Sequence, residues 1–139
     1  MTPVPAAVHV LVVDDDEDIR SIYAESLELN GFHVLHASNG QQALVVAFSE
    51  PLSAIVMDLS MPVMDGLTAT RQLKHDERTM RLPVIVVTGA TRPEELQRAW
   101  FAGCDAVLSK PCPPDVVILA IEHLLRGEPI PRQFSAFGE

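Results

Sequence analysis

The chain has 139 residues, 47% of them hydrophobic and 21% charged, and a formal net charge of −9, which suits one globular domain with a real core and not a disordered segment. The acidic balance argues against a nucleic-acid surface, because phosphate contacts need clustered Lys and Arg. No apolar run approaches the roughly 18 residues of a membrane span, and two cysteines, Cys104 and Cys112, without a Cys-x-x-Cys spacing imply no disulfide framework.

In chain order, Met1 to Ala7 lacks a basic leader pattern, so no signal peptide is expected and a reducing, cytoplasmic setting fits. Residues 1–7 read as a loose lead-in. Val8–Val13 is a short β-branched run, as in a buried strand of a parallel sheet, and it ends in Asp14-Asp15-Asp16. Ile19, Ile22, Tyr23 and Leu27 follow with helical spacing, and Asn30-Gly31 supplies a stop. His33–Ala37 is a second strand; His33 and His36, three apart, face opposite sides and do not share a metal. Gln41 to Phe48 is a short helix ending near Pro51. Ala54–Met57 is a third strand and ends in Asp58. Leu67 to Leu73 is the next helix, with Lys74 and His75 near its end. Val84–Val87 is the fourth strand. Pro93 to Ala102 suits a helix with Pro in its first turn and Gly103 as its stop. Ala106–Leu108 is the fifth strand, and Pro113 or Pro114 opens a last helix to about Arg126. Residues 127–139, with Pro129 and Pro131, read as a tail.

Five strand–helix alternations predict an α/β fold, a doubly wound parallel sheet with helices on both faces, with residues 8–126 as its domain. Ligands of such sheets bind outside the carboxyl ends of the strands. If the first and third strands are neighbours, Asp14, Asp15 and Asp58 converge at that rim. Carboxylates that close repel, so one takes up a proton or a cation binds between them. Hard oxygen donors without nearby Cys or His favour Mg2+ or Ca2+ over zinc. The plainer alternative is helix capping, strongest for Asp16 or Asp18.

Asp14-Asp15, Asp58, Thr88 and Lys110 each fall at a strand end, in that order. With the segments Val10-Leu11-Val12-Val13-Asp14-Asp15, Val56-Met57-Asp58 through Met61-Pro62 to Asp65-Gly66, Pro83 through Thr88-Gly89, and Gly103 through Lys110-Pro111, the chain resembles a response-regulator receiver domain of two-component signalling, of the single-domain, chemotaxis-regulator-like kind. The resemblance covers about residues 8 to 126. It implies a flavodoxin-like five-stranded sheet of order 2-1-3-4-5. It implies that Asp58 accepts a phosphoryl group from the phosphohistidine of a sensor histidine kinase or histidine phosphotransfer protein. The implied cofactor is Mg2+, held by Asp14, Asp15, Asp58 and the backbone carbonyl of Ser60. Lys110 and Thr88 are implied to bind phosphoryl oxygens, and the Lys110–Pro111 bond is implied to be cis. A downstream protein target completes the implied partners, and the resemblance implies a switch that assists its own phosphorylation and dephosphorylation, not a conventional enzyme.

Three positions depart from the family pattern. Val107 stands where relatives have an aromatic ring that turns inward with the switch. Cys112 stands where an aromatic commonly follows Lys-Pro. Ser60, two after Asp58, occupies a position that varies among relatives and influences access of hydrolytic water. The last helix is unusually apolar: Val117, Ile121 and Leu124 are expected to face the core, with Val116, Leu119 and His123 on another side. Trp100 and Phe101 of the fourth helix either join that second face, as a partner or homodimer surface through helices 4 and 5, or pack in the core. Nothing after Arg126 is long enough for an output domain. Two alternatives stand beside this reading. One is a small Mg2+-dependent phosphatase with an Asp nucleophile, for which Asp14-Asp15-Asp16 supplies an Asp-x-Asp. The other is a pseudo-receiver that binds partners without phosphate.

Overall fold

Residues 7–128 and residue 130 are described by the computed structural model. The expected lead-in and tail therefore lie outside the described residues except at their inner ends. The strands are β1 (His9–Val13), β2 (His33–Ala37), β3 (Ala54–Met57), β4 (Val84–Thr88) and β5 (Ala106–Ser109). Between and after them run α1 (Glu17–Leu29), α2 (Gly40–Ser49), α3 (Gly66–Lys74), α4 (Pro93–Ala102) and α5 (Pro114–Leu125). All strand pairs are parallel and the order is β2-β1-β3-β4-β5, as the resemblance implied.

Each strand buries both faces, which explains its continuous apolar run. Leu11, Val13, Ile55, Met57, Val84, Val86 and Val107 point to one side and pack with α2, α3 and α4. Val10, Val12, Val56, Ile85, Val87 and Leu108 point to the other and pack with α1 and α5. The edge strand β2 is the exception, with His33 and His36 both exposed and on opposite faces.

The helices begin where short polar side chains catch free N–H groups. Asp16 accepts from the N–H groups of Asp18 and Ile19, Asn39 from Gln42, and Asp65 from Thr68. The helical stripes differ from the sequence expectation in two places. α1 buries Tyr23, Ala24 and Leu27, and leaves Ile22 56% exposed. α5 buries Val117, Ile118, Ala120 and Ile121, while Val116 leans partly onto the core. Both shifts have one cause: a helix crossing a twisted sheet has its buried stripe set by the crossing, and a run of four apolar residues lets several stripes compete.

Candidate functional site

The ladder itself delivers the acidic rim. One residue past β1, the N–H of Asp14 donates to Ala37 O at 3.1 Å. One residue past β3, the N–H of Asp58 donates to Val13 O at 3.0 Å. Beyond β5, the N–H of Lys110 donates to Thr88 O at 2.9 Å. Backbone pairing thus fixes Asp14, Asp58, Thr88 and Lys110 on four adjacent strand ends at the carboxyl edge. The Lys110–Pro111 bond is cis.

Asp14 is buried and held at both oxygens: Oδ1 accepts the Asp16 N–H at 2.9 Å and Oδ2 accepts Lys110 Nζ at 3.0 Å. Lys110 Nζ also lies 3.4 Å from Asp58 Oδ2. Carboxylate oxygens of Asp14, Asp15 and Asp58 lie within 4.8 Å of one another. Two of these acids are buried and one is exposed, so an incoming ion meets a seat open on one side. Asp16 stands apart from this group, committed to capping α1. The capping alternative therefore holds for Asp16 alone.

Electrostatics follow from that crowding. Burial raises the Asp58 carboxyl above its ordinary value; the Lys110 charge pulls it back and the Asp14 charge pushes it up again. Burial works to lower Lys110, but its hydrogen bond to Asp14 and the charges of Asp58 and Asp14 outweigh that and leave it raised. A divalent cation would relieve what one lysine only partly offsets. All three acids offer hard oxygen, and the described residues place no Cys or His in the cluster, so the donor set fits Mg2+.

The loop after β3 is shaped by close approach. A Cβ on Gly66 would overlap the Asp58 carbonyl oxygen, so only glycine lets α3 start against the Asp58 backbone. Val63 has φ 68° and the Met64 N–H donates to Pro62 O at 2.7 Å, a strained tight turn for a β-branched residue. Met64 O in turn accepts the Gly40 N–H at 2.8 Å, pinning the loop to the start of α2.

Thr88 is buried and its Oγ1 accepts the Ala90 N–H at 3.1 Å. It shares a cleft of about 630 Å³ with Asp58, Ser60, Lys110 and, from the far wall, Glu95 and Arg98 of α4. Sequence reasoning missed Glu95 and Arg98. Their i, i+3 spacing on the helix that follows Thr88 was the available signal. Val107 is wholly buried, an aliphatic core residue. Trp100 is 40% exposed, which excludes a core role.

The family model for the response regulator receiver domain matches residues 10–122. The chain belongs to that family. It is 32% identical over 117 residues, 84% of its length, to the phosphate regulon transcriptional regulatory protein PhoB of Pseudomonas aeruginosa, of which 51% is covered. It is equally identical to the transcriptional regulatory protein SrrA of Staphylococcus aureus, with 84% and 47% covered. The chain thus spans about half the length of the curated relatives it matches. Among solved structures, it resembles the chemotaxis response regulator CheY4 of Vibrio cholerae (TM-score 0.80, 28% identity, 86% of this chain and 99% of that one). It also resembles the receiver domain of the sensor histidine kinase PA1611 of Pseudomonas aeruginosa, solved with a magnesium ion in its active-site cleft (TM-score 0.81, 26% identity, 87% and 99%).

Proposed function

We propose that Asp58 is the phosphoacceptor of a receiver switch that takes its phosphoryl group from the phosphohistidine of a sensor histidine kinase or histidine phosphotransfer protein. The observation that carries this is the convergence of Asp14, Asp15 and Asp58 within 4.8 Å, with Lys110 reaching two of them, at the carboxyl rim of the sheet. Residues 8–126 form the receiver unit on this reading, and the setting is cytoplasmic.

In the reaction, an Asp58 carboxylate oxygen bonds to phosphorus while the bond from phosphorus to the imidazole nitrogen breaks and that nitrogen keeps the electron pair. Mg2+, when bound by Asp14, Asp15, Asp58 and the Ser60 carbonyl, supplies positive charge to the phosphoryl oxygens. Lys110 supplies a further positive charge from the α5 side. The Thr88 hydroxyl only accepts in its present contact with Ala90, so its proton is available for a phosphoryl oxygen. The exposed Phe101 of α4 and Leu119 and Leu125 of α5 support a partner or homodimer surface on those helices. The phosphatase alternative is disfavoured, because Asp16, the second acid of its Asp-x-Asp, caps α1 and stands outside the cluster of Asp14, Asp15 and Asp58.

The test is intact mass after incubation with a small acyl or amido phosphate and Mg2+. One phosphoryl adduct is expected in the parent and none in Asp58→Asn. An equal adduct in Asp58→Asn overturns the assignment. Association measured by ultracentrifugation, with and without phosphodonor, is expected to weaken in Leu119→Glu; a parent that is monomeric in both states removes the homodimer.

A further inference from the structure

The cleft over Asp58 is larger than its chemistry requires. At about 630 Å³ it holds about twenty water volumes of roughly 30 Å³ each, well beyond a phosphoryl group. It opens toward α3 and α4, away from Asp14 and Asp15, which do not line it. Two cations among the described residues line it, Lys110 and Arg98. Lys110 is already engaged by Asp14 and Asp58. Arg98 is exposed and makes no ion pair among the described residues, although Glu95, three residues earlier on the same helix, lines the same wall. The third lining carboxylate, Asp65, is occupied with the Thr68 N–H. An uncommitted guanidinium therefore faces the space where a phosphodonor must lie as it hands its phosphoryl group to Asp58.

We propose that Arg98 is a specificity-determining residue that binds the anionic leaving group of acyl phosphates, so that this receiver favours donors releasing a carboxylate over donors releasing a neutral amine. The inference rests on Asp58 being the acceptor. With an acyl phosphate, the Asp58 oxygen bonds to phosphorus, the bond from phosphorus to the acyl oxygen breaks, and a carboxylate departs with the electron pair. Negative charge grows on that oxygen as the bond breaks, and a planar guanidinium matches a carboxylate in shape and charge. With phosphoramidate, the bond from phosphorus to the protonated nitrogen breaks and ammonia departs uncharged, giving Arg98 nothing to hold. Glu95 acts in the opposite sense, repelling the departing carboxylate.

The experiment measures initial rates of adduct formation with acetyl phosphate and with phosphoramidate, by intact mass at saturating Mg2+, and compares their ratio among variants. Arg98→Gln is expected to lower the acetyl phosphate to phosphoramidate ratio about two- to five-fold, the size of one exposed ion contact. Arg98→Lys should recover part of it, and Glu95→Gln should raise the ratio above the parent's. Added salt should erode the parent's ratio, since exposed charges are screened over about 10 Å at 0.1 M. Arg92→Gln removes an exposed charge that does not line the cleft, and should leave the ratio alone. An unchanged ratio in Arg98→Gln, or an equal fall in Arg92→Gln, overturns the proposal while adducts still form. Absence of any adduct with either donor overturns the Asp58 reading itself, and this inference with it.

Discussion

The two sides of Asp58 are built differently. On the β1 side, Asp14 is held by a backbone N–H and by Lys110, and Asp16 caps α1 through two N–H groups. The Tyr23 hydroxyl of α1 reaches across to donate to Cys112 O at 2.8 Å, tying that helix to the segment after Lys110. On the β4 side, α4 begins at Arg92 and Pro93 with no side-chain cap, and Thr91 through Glu95 are all exposed. The acids that hold the cation on the proposed reading are anchored. The start of α4, which that reading makes responsive to Thr88, is held chiefly by Leu96, Ala99 and Ala102 behind it. Stability is distributed unevenly in proteins, and elements that move come from the weakly held end. On the proposed reading a phosphoryl group would need only a small differential contact to shift α4 between two positions.

The contrast can be broken hardest at Gly66. Gly66→Ala forces a methyl into the Asp58 carbonyl and should cost about 1–3 kcal/mol or more, with loss of the adduct. Urea denaturation checks it; parent-like stability would show that the loop gives way there. Lys110→Met leaves two buried carboxylates facing each other without a cation. It should cost about 1–3 kcal/mol without metal, with part of that returned by Mg2+, and melting with and without the ion separates the two effects.

Alkali should probe the anchored side next. Burial, and then Cys112, Asp14 and Asp58, push the Tyr23 hydroxyl up from 10.0 to about 12. Between those values the unfolded chain ionises first, so the folded state binds more protons and stability must fall as pH rises. Below pH 10 this contribution is intact, and it is gone above about 12. Tyr23→Phe should lower stability at pH 8 by about 1 kcal/mol through the lost hydrogen bond, and should make the loss between pH 10 and 12 shallower. An equally steep alkaline loss in Tyr23→Phe assigns it to other groups, with the Cys104 thiol, which burial raises to about 12, first among them.

The caps give smaller effects of opposite sign. Asp16→Ala should destabilise by about 1 kcal/mol, whereas Arg92→Ser, which installs a cap where none exists, should stabilise by about 0.5–1 kcal/mol. If α4 is the responsive element, Arg92→Ser should also slow hydrogen exchange at the start of α4 in the unphosphorylated protein. Equal exchange in both proteins would place the responsive segment elsewhere.

Much of this was legible in the chain itself. Two-sided burial makes parallel strands continuous apolar runs, so all five strands stood out, and α4 could be bounded at Pro93 and Ala102 because Pro and Gly act locally. The strand-end acids, threonine and lysine were legible for the same reason: a parallel strand delivers the residue after its apolar run to the carboxyl rim. What the sequence left open was which of several available contacts each side chain makes in the folded chain. Whether Asp16 binds or caps was decided by where the N–H groups of Asp18 and Ile19 point. Ile22 and Val116 were misplaced because a helix's buried stripe is chosen by its crossing of the sheet. Arg98 lies 40 residues from Asp58 in sequence and lines the same cleft only because β3 and β4 are neighbours. Local chemistry thus determined which residues are strands and rim acids; only tertiary packing decided which charges are neutralised and which, like that of Arg98, make no ion pair among the described residues.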